Sequence, residues 1–188
     1  MVTVSEWRAR YAVHVLRSKG VVAHPTEAVW GLACDPFSEQ AVQGLLDLKG
    51  RPKEKGLILI SASRDHFAAL LAPLSSELQQ RFNAPQSRPT TWIVPDLHQQ
   101  VPFWVRGQHQ GVAVRVSQHP MVQLLTDYFQ GPLISTSANR AGKSPAMNLM
   151  DIRKNFAGRI DYVLDGQLGG QDRPSRIIDL QSGQILRD

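Results

Sequence analysis

The hydrophobic and polar positions of the chain form short apolar runs, separated by segments rich in glycine, proline and small polar residues. Short runs of branched apolar residues are typical of strands, whereas apolar residues spaced i, i+3 and i+4 are typical of amphipathic helices. Strands are predicted at residues 21–24, 57–60, 91–94, 112–116, 133–134, 162–164, 177–180 and 185–186. Helices are predicted at residues 38–48, 65–71, 75–82, 121–128 and 151–156, after a first helix between Ser5 and Gly20.

The first helix and the segment after the first strand carry two further expectations. Ser5 is suited to cap the helix and Gly20 to end it. The buried face of this helix is predicted to comprise Trp7, Tyr11, Ala12, Val15 and Leu16. Residues 25–36, PTEAVWGLACDP, are predicted to form a polar and aromatic loop.

The order of the predicted elements indicates the fold class. Helices and strands intermix without a strict βαβ alternation, which favours a mixed sheet over a purely parallel one. No repeat, low-complexity tract or long linker interrupts the pattern. We therefore expect an α/β fold over residues 1–188, a single domain with a twisted mixed sheet flanked by helices.

Composition narrows the environment and the partners. Cys34 is the only cysteine, which excludes an internal disulfide and a cysteine-rich zinc site and fits a reducing cytosol. No signal-peptide pattern and no membrane-length apolar run is visible, so a cytoplasmic protein without a membrane partner is expected. The formal net charge of +5 favours a polyanionic ligand, either a nucleic acid or a nucleotide triphosphate.

Polar clusters that directly follow predicted strands or helices are the candidates for chemistry, because open α/β sheets bind ligands at such ends. There are five, at residues 25–31, 49–53, 115, 135–139 and 174–176. The sequence contains no P-loop, GxGxxG, GxSxG or HExxH motif, and its histidines lack metal-ligand spacing. A nucleotide would thus bind outside the common phosphate loops, and no protein metal site is predicted.

The two cations of the second cluster suit a triphosphate. Lys49 and Arg51 lie two residues apart just past a helix end, so both can point into one cleft. Arginine offers a planar fork of donors and lysine a mobile point charge for phosphate oxygens. The alternative is a simple interaction of cations with a helix C-terminus.

The other clusters also keep a structural alternative. Arg115 alternates with three valines along its predicted strand, so it lies on the opposite face of that strand. If this face is buried, Arg115 needs a carboxylate partner, and a substrate could supply it. If the face is exposed, Arg115 is an ordinary surface residue. The hydroxyls and amide of residues 135–139 could donate to phosphate or to base edges, or form Ser and Asx turns. Residues 25–31 could bind a ligand, or form a capped turn with Trp30 in the core.

Taken in order, these clusters resemble the YrdC/TsaC family of threonylcarbamoyl-AMP synthases. The matching segments are HPTEAVWGLACDP at 24–36, LLDLKGRPKEKGLILI at 45–60, VAVRVSQHP at 112–120 and STSAN at 135–139. Lys49 and Arg51, followed by Ser137 and Asn139, resemble the paired KxR and SxN signature of that family. The resemblance covers essentially the whole chain.

The resemblance implies a YrdC-like fold with a basic concave face, and a nucleotidyltransferase reaction. ATP, bicarbonate and L-threonine would give threonylcarbamoyl-AMP and pyrophosphate, with Mg²⁺ carried by the ATP. A separate transferase complex would then move the threonylcarbamoyl group to the adenosine beside the anticodon of tRNA. Whether tRNA or other RNA also binds this chain stays open.

The resemblance also assigns residues to substrates. The ATP-binding group would comprise Lys49, Arg51, Ser135, Ser137 and Asn139. The threonine-binding group would comprise Thr26, Arg115 and Ser175. Lys49 and Arg51 would also be the catalytic residues, neutralising charge as pyrophosphate leaves.

Two departures and two rivals accompany this hypothesis. Residues 86–91 read QSRPTT where many members have a Trp-Pro-Gly-Pro-like turn, although Thr91 keeps its register, and Lys55-Gly56 stands where longer relatives carry a His-Pro. One rival is a paralogue that keeps the fold but not the reaction. The main rival is an RNA-binding or ribosome-maturation module that uses the same basic face without ATP chemistry. Such a module would bind RNA with an affinity that falls as the salt concentration rises.

Overall fold

A computed structural model of the protein describes residues 6–188, and the predicted cap Ser5 lies outside that range. The strands are β1 Val22–Pro25, β2 Trp30–Ala33, β3 Ile58–Ser61, β4 Thr90–Pro95, β5 Gly111–Val116, β6 Leu133–Ser137, β7 Tyr162–Val163, β8 Arg176–Asp179 and β9 Ile185–Arg187. The helices are α1 Glu6–Arg17, α2 Glu39–Lys49, α3 Ala68–Leu71, α4 Ser76–Asn83, α5 Phe103–Arg106, α6 Pro120–Phe129 and α7 Leu149–Phe156, with 3₁₀ turns at Lys53–Lys55 and Arg64–Phe67.

All nine strands form one mixed sheet in the order β7-β1-β2-β6-β3-β5-β4-β8-β9. Three neighbouring pairs are parallel, β7 with β1, β3 with β5 and β4 with β8, and the other pairs are antiparallel. The predicted α/β fold with a mixed sheet flanked by helices is confirmed.

Helices cover both faces of the sheet. On one face α1 and α6 pack against each other and against the sheet through Ala12, Val13, Leu16, Met121, Val122 and Leu125. On the other face a larger core includes buried side chains of α2, α3, α4, α5 and α7. On the α1/α6 face, the polar residues Ser135, Ser137 and Arg115 continue the strands beyond the buried Leu133 and Ile60, and the candidate site lies there.

Helix α2 matches its prediction because both ends are capped by sequence. Ser38 accepts a hydrogen bond from the Ala41 backbone N–H at 3.3 Å, which satisfies one of the free donors of the first turn. Gly50 ends the helix in the left-handed conformation at φ 61°, where a side chain is disfavoured. Lys49, the last helical residue, is thereby directed under the end of β6.

The predicted buried face of α1 is partly wrong. The helix buries Ala9, Ala12, Val13 and Leu16, whereas Trp7 and Tyr11 are 64% and 50% exposed. Small side chains fit the close approach of α1 to α6, and the bulky rings are left at its edge. Tyr11 packs there edge-on against Tyr162, with ring centroids 5.0 Å apart.

The predicted loop at 25–36 contains a strand, β2, which is a correction to the sequence analysis. Its four residues are all buried, and it pairs antiparallel with β1 on one side and β6 on the other. A central strand buried on both faces lacks the polar–apolar alternation that marks a half-exposed strand. Helix α5 was likewise not predicted; its four residues are too few for a periodic pattern.

Cys34 is a free, fully buried thiol, and burial raises its pKa. In residues 6–188 we find no helix with the length and apolar character that crossing a membrane requires.

Candidate active site

The candidate site occupies the part of the α1/α6 sheet face that lies beyond those two helices. Strand pairing places mostly small or polar residues, together with Ile58, there in one continuous row. The row comprises His24, Gly31, Ser137, Ser135, Ile58 and Ala113. Because side chains alternate along each strand, these residues share the face that carries Ile60 and Leu133 under the helices.

Lys49 joins the KxR segment to the SxN segment directly. It is only 4% exposed, and its Nζ donates to the backbone oxygen of Ser137 and, at 2.9 Å, to that of Asn139. It also donates to Oδ1 of Asn139 at 3.2 Å, so its three donors all have protein acceptors. Ser137 Oγ donates to the same Oδ1 at 2.7 Å, and Asn139 Nδ2 donates to the Lys143 backbone oxygen at 2.7 Å.

The Arg51 guanidinium is less fully hydrogen-bonded to the protein than the Lys49 ammonium. Its Nη2 donates to the Gly56 backbone oxygen at 2.9 Å, while Nε is buried without a hydrogen-bond partner in the described part of the chain. Burial, and secondarily the charge of Arg51, lowers the pKa of Lys49 to about 8. The two cations therefore lie close together, and an anion between them would relieve their repulsion.

Arg115 has a carboxylate partner, as its burial requires, but the partner belongs to the protein. Nη2 of Arg115 lies 2.6 Å from Oε2 of Glu27, and both side chains are largely buried. Oε1 of Glu27 accepts a 2.7 Å hydrogen bond from Ser117 Oγ. Burial alone would raise the pKa of Glu27, yet the charge of Arg115 and the bond from Ser117 bring it below its usual value.

The strand register extends this group across the sheet. Arg115 lies opposite Thr91, which lies opposite Ile177, which in turn lies opposite Arg187 of β9. Thr91 Oγ1 and Ser175 Oγ are 2.8 Å apart, and Arg187 Nη2 donates to the Ser175 backbone oxygen at 2.6 Å. Ser175, weak as a sequence match, is thus brought to the same face as Arg115.

The loop after β7 encloses the segment that carries Thr26 and Glu27. Gly169 N–H donates to the Thr26 backbone oxygen at 3.1 Å, and Gln171 N–H donates to that of Glu27 at 2.9 Å. A Cβ on Gly169 would lie 2.9 Å from Glu27 Cα, so only glycine allows this approach. Thr26 is buried, and its hydroxyl donates to the Val29 backbone oxygen at 2.8 Å.

The structure therefore brings the predicted residues together in two groups. Lys49, Arg51, Ser137 and Asn139 form one, and Arg115, Ser175 and Thr26 lie around the other; buried Ser135 lies two residues before Ser137 on β6. Ser117 and Arg187 were not predicted as site residues. Ser117 lies in the matching segment 112–120 but has no chemical signature of its own, and Arg187 lies in no such segment; strand pairing and packing reveal their part in the site.

Among residues 6–188 no three His, Cys, Asp or Glu side chains converge as a metal-binding group. His119 is held as a neutral ring: its Nδ1 accepts from the Met121 N–H at 3.2 Å, which leaves Nε2 to donate to the Gln167 backbone oxygen at 3.1 Å. Burial lowers the pKa of His119, in keeping with that arrangement.

Comparison with known proteins identifies the family. The Sua5/YciO/YrdC family model, described as "Telomere recombination", matches residues 14–188. A Marinobacter nauticus protein named threonylcarbamoyl-AMP synthase is 49% identical over 168 residues, 89% of this chain and 88% of that protein. A Hahella chejuensis protein of the same name is 47% identical over 184 residues, 98% of this chain and 100% of that protein.

Solved structures agree with the sequence relatives. P. abyssi Sua5 complexed with L-threonine superposes with a TM-score of 0.85 at 30% identity, covering 97% of this chain and 54% of the Sua5 chain. This chain thus spans about half the length of that relative. E. coli YciO, at 20% identity and a TM-score of 0.76 over 98% of this chain and 90% of its own, shares the fold. The chain belongs to the Sua5/YciO/YrdC family.

Proposed function

We propose that the protein is an L-threonylcarbamoyladenylate synthase, a nucleotidyltransferase that uses ATP, bicarbonate and L-threonine. The observation that carries the proposal is the presence of two cationic groups in the site: Lys49 and Arg51 at the end of α2, where Lys49 binds the end of β6, and Arg115 on β5 beside Glu27. A triphosphate and an amino-acid carboxylate require such a pair of sites. The names of the relatives support the same activity.

At the nucleotide end, Arg51 is the cation assigned to the phosphates. Its Nε has no protein partner, and a guanidinium keeps its charge at any physiological pH. Lys49 is assigned a different part: its donors are occupied, so it fixes Ser137 and Asn139 in place and adds positive charge behind them. Ser135, Ser137 and Asn139 would then contact the nucleotide.

At the amino-acid end, Arg115 is the partner of the threonine carboxylate. Ser175 and Thr26 would line the same pocket. The Thr26 methyl group lies 3.1 Å from the position of a Cβ on Gly31, within the open row of the sheet face. Because the Thr26 hydroxyl already donates to Val29, this residue would contribute shape and an acceptor oxygen.

The reaction needs no protein nucleophile. The threonine amine attacks bicarbonate and releases water, and the resulting carbamate attacks the α-phosphorus while pyrophosphate leaves. The protein contributes proximity of the substrates and positive charge at the phosphates. Mg²⁺ would supply further charge neutralisation, held by phosphate oxygens and water, since the described residues offer no metal-binding cluster. The product would pass to a transferase complex acting on tRNA.

Mass spectrometry with ¹³C-bicarbonate tests the proposed activity. Incubation with ATP, Mg²⁺ and L-threonine is expected to yield an AMP adduct that carries the threonine and one ¹³C atom. No adduct from folded protein, together with RNA affinity that falls steeply with salt, would favour the RNA-binding alternative.

ATP affinity is expected to fall as the pH rises through about 8, where Lys49 loses its charge. Burial lowers the pKa of Lys49, so Lys49 is charged below pH 8 and neutral above it. An exposed lysine would stay charged in that range. The loss should be about tenfold or less, the range of one charge-assisted interaction. Calorimetric titration with ATP from pH 6.5 to 9.5 measures it. Lys49→Arg should flatten the profile, and a flat wild-type profile would contradict the assignment.

Gly169→Ala is expected to weaken L-threonine binding by roughly tenfold or more, because its Cβ would press on the Glu27 backbone and shift the Arg115 group. ATP affinity should change less, since Gly169 packs on Thr26 and Glu27 whereas Lys49 holds Ser137 and Asn139. Gly44→Ala is the matched control, since its Cβ would meet nothing within 4 Å. Equal losses for threonine and ATP would argue against two separate groups.

A further inference from the structure

Contacts with the surrounding protein hold the ion pair of Glu27 and Arg115 in one position. Glu27 is 9% exposed; its Oε1 accepts a hydrogen bond from Ser117 at 2.7 Å, and its Oε2 lies 2.6 Å from Arg115 Nη2 as an ion pair but has no hydrogen-bond partner in the described structure. Its backbone oxygen is fixed by Gln171, and Gly169 packs against its Cα. A carboxylate held from both sides keeps one position when a ligand arrives.

The ion pair with Glu27 does not occupy every hydrogen-bond donor of Arg115. Its Nε is buried and has no hydrogen-bond partner in the described structure, so the guanidinium retains a donor for a second anion. An unpaired donor in a buried setting is costly unless a ligand satisfies it. A substrate carboxylate can therefore bind Arg115 while Glu27 remains beside it.

The other groups that face this pair do not replace the charge of Glu27. His119 is neutral, with both ring nitrogens engaged. Arg187 is close enough to Arg115 for the charge of Arg115 to reduce its pKa, after the larger effect of burial. Arg187 thus adds a second cation near Arg115, and without Glu27 the pocket would favour anions whether or not they carry an amino group.

We infer that Glu27 is a specificity-determining residue that binds the ammonium group of the amino acid while Arg115 binds its carboxylate. The subsite then selects a zwitterionic α-amino acid over a hydroxy acid of the same size. Glu27 acts at the binding step, before the amine loses its proton and attacks bicarbonate. The inference deepens the proposed function and rests on its threonine site.

Calorimetric titration of the full chain with two ligands tests the role of Glu27. The ligands are L-threonine and 3-hydroxybutanoate, which lacks the amino group. Wild type is expected to prefer L-threonine by at least about tenfold, as a charge-assisted hydrogen bond implies. Glu27→Gln, similar in shape but neutral, should lose at least about tenfold in threonine affinity and bring the ratio of affinities close to one. Glu27→Asp keeps the charge and should keep the preference, although it weakens binding.

Circular dichroism and thermal melting establish that each variant is folded. A threonine preference that survives in folded Glu27→Gln would overturn the inference alone, as would a wild-type ratio near one, which needs no variant. Wild-type protein that binds no threonine, with or without a non-hydrolysable ATP analogue, would overturn the proposed threonine site and the inference together. The two failures are therefore distinguishable.

Discussion

Arg51→Ala is expected to reduce the rate of threonine-dependent pyrophosphate release by at least about 100-fold, the loss typical of removing one group that stabilises transition-state charge. Arg51 has a buried Nε without a hydrogen-bond partner in the described structure, whereas the donors of its neighbour Lys49 are occupied by Ser137 and Asn139. The rate is measured with saturating ATP, L-threonine and bicarbonate. Because charge accumulates as pyrophosphate leaves, the loss should appear in kcat as well as in KM.

Lys53→Ala is the matched control for Arg51→Ala. Lys53 is an exposed cation two residues further along the chain, so it tests whether net charge alone matters. Its removal should change the rate by about twofold or less, as expected of an exposed charge. Equal losses in the two variants would indicate a diffuse electrostatic effect, and an active Arg51→Ala enzyme would refute the assignment.

Lys49→Met should lower both stability and activity. The substitution keeps the volume of the stem but leaves the Ser137 and Asn139 oxygens without their donor in a buried setting. Loss of charge-assisted bonds of this kind costs about 2–4 kcal/mol. For a domain of this size, that corresponds to a fall in Tm of roughly 5–15 °C. Activity should fall by at least about tenfold, because the SxN segment loses its fixed geometry.

Thermal melting and pyrophosphate release together measure the two effects of Lys49→Met. Lys55→Met is the control, since Lys55 is exposed and should change Tm by no more than about 1–2 °C. A Lys49→Met protein with unchanged Tm and lost activity would show that Lys49 contacts substrate directly. A stable and active variant would contradict both roles.

Local sequence signals were sufficient for much of the fold, but not for the assembly of the nucleotide end of the site. Helix α2 was predictable because Ser38 and Gly50 are strong start and stop signals. The juxtaposition of Lys49 with Ser137 and Asn139 was predictable only through the family resemblance. Their separation of 88 and 90 residues leaves no local trace in the sequence.

Long-range packing accounts for what the sequence did not reveal. Strand β2 is buried between two neighbours, so its pattern lacks alternation and resembles an apolar loop. Trp7 and Tyr11 are at helical spacing, yet the small residues of α1 occupy the contact with α6. The partner of Arg115 could be predicted as a carboxylate, but the choice between a substrate and Glu27 depends on contacts across 88 residues.

The most direct test of the proposed synthase activity is pyrophosphate release from ATP by the purified protein, with and without L-threonine and bicarbonate. Release is expected only when both are present, and it should be almost completely lost in Arg51→Ala. Release that is independent of threonine, or no release from well-folded wild-type protein, would contradict it.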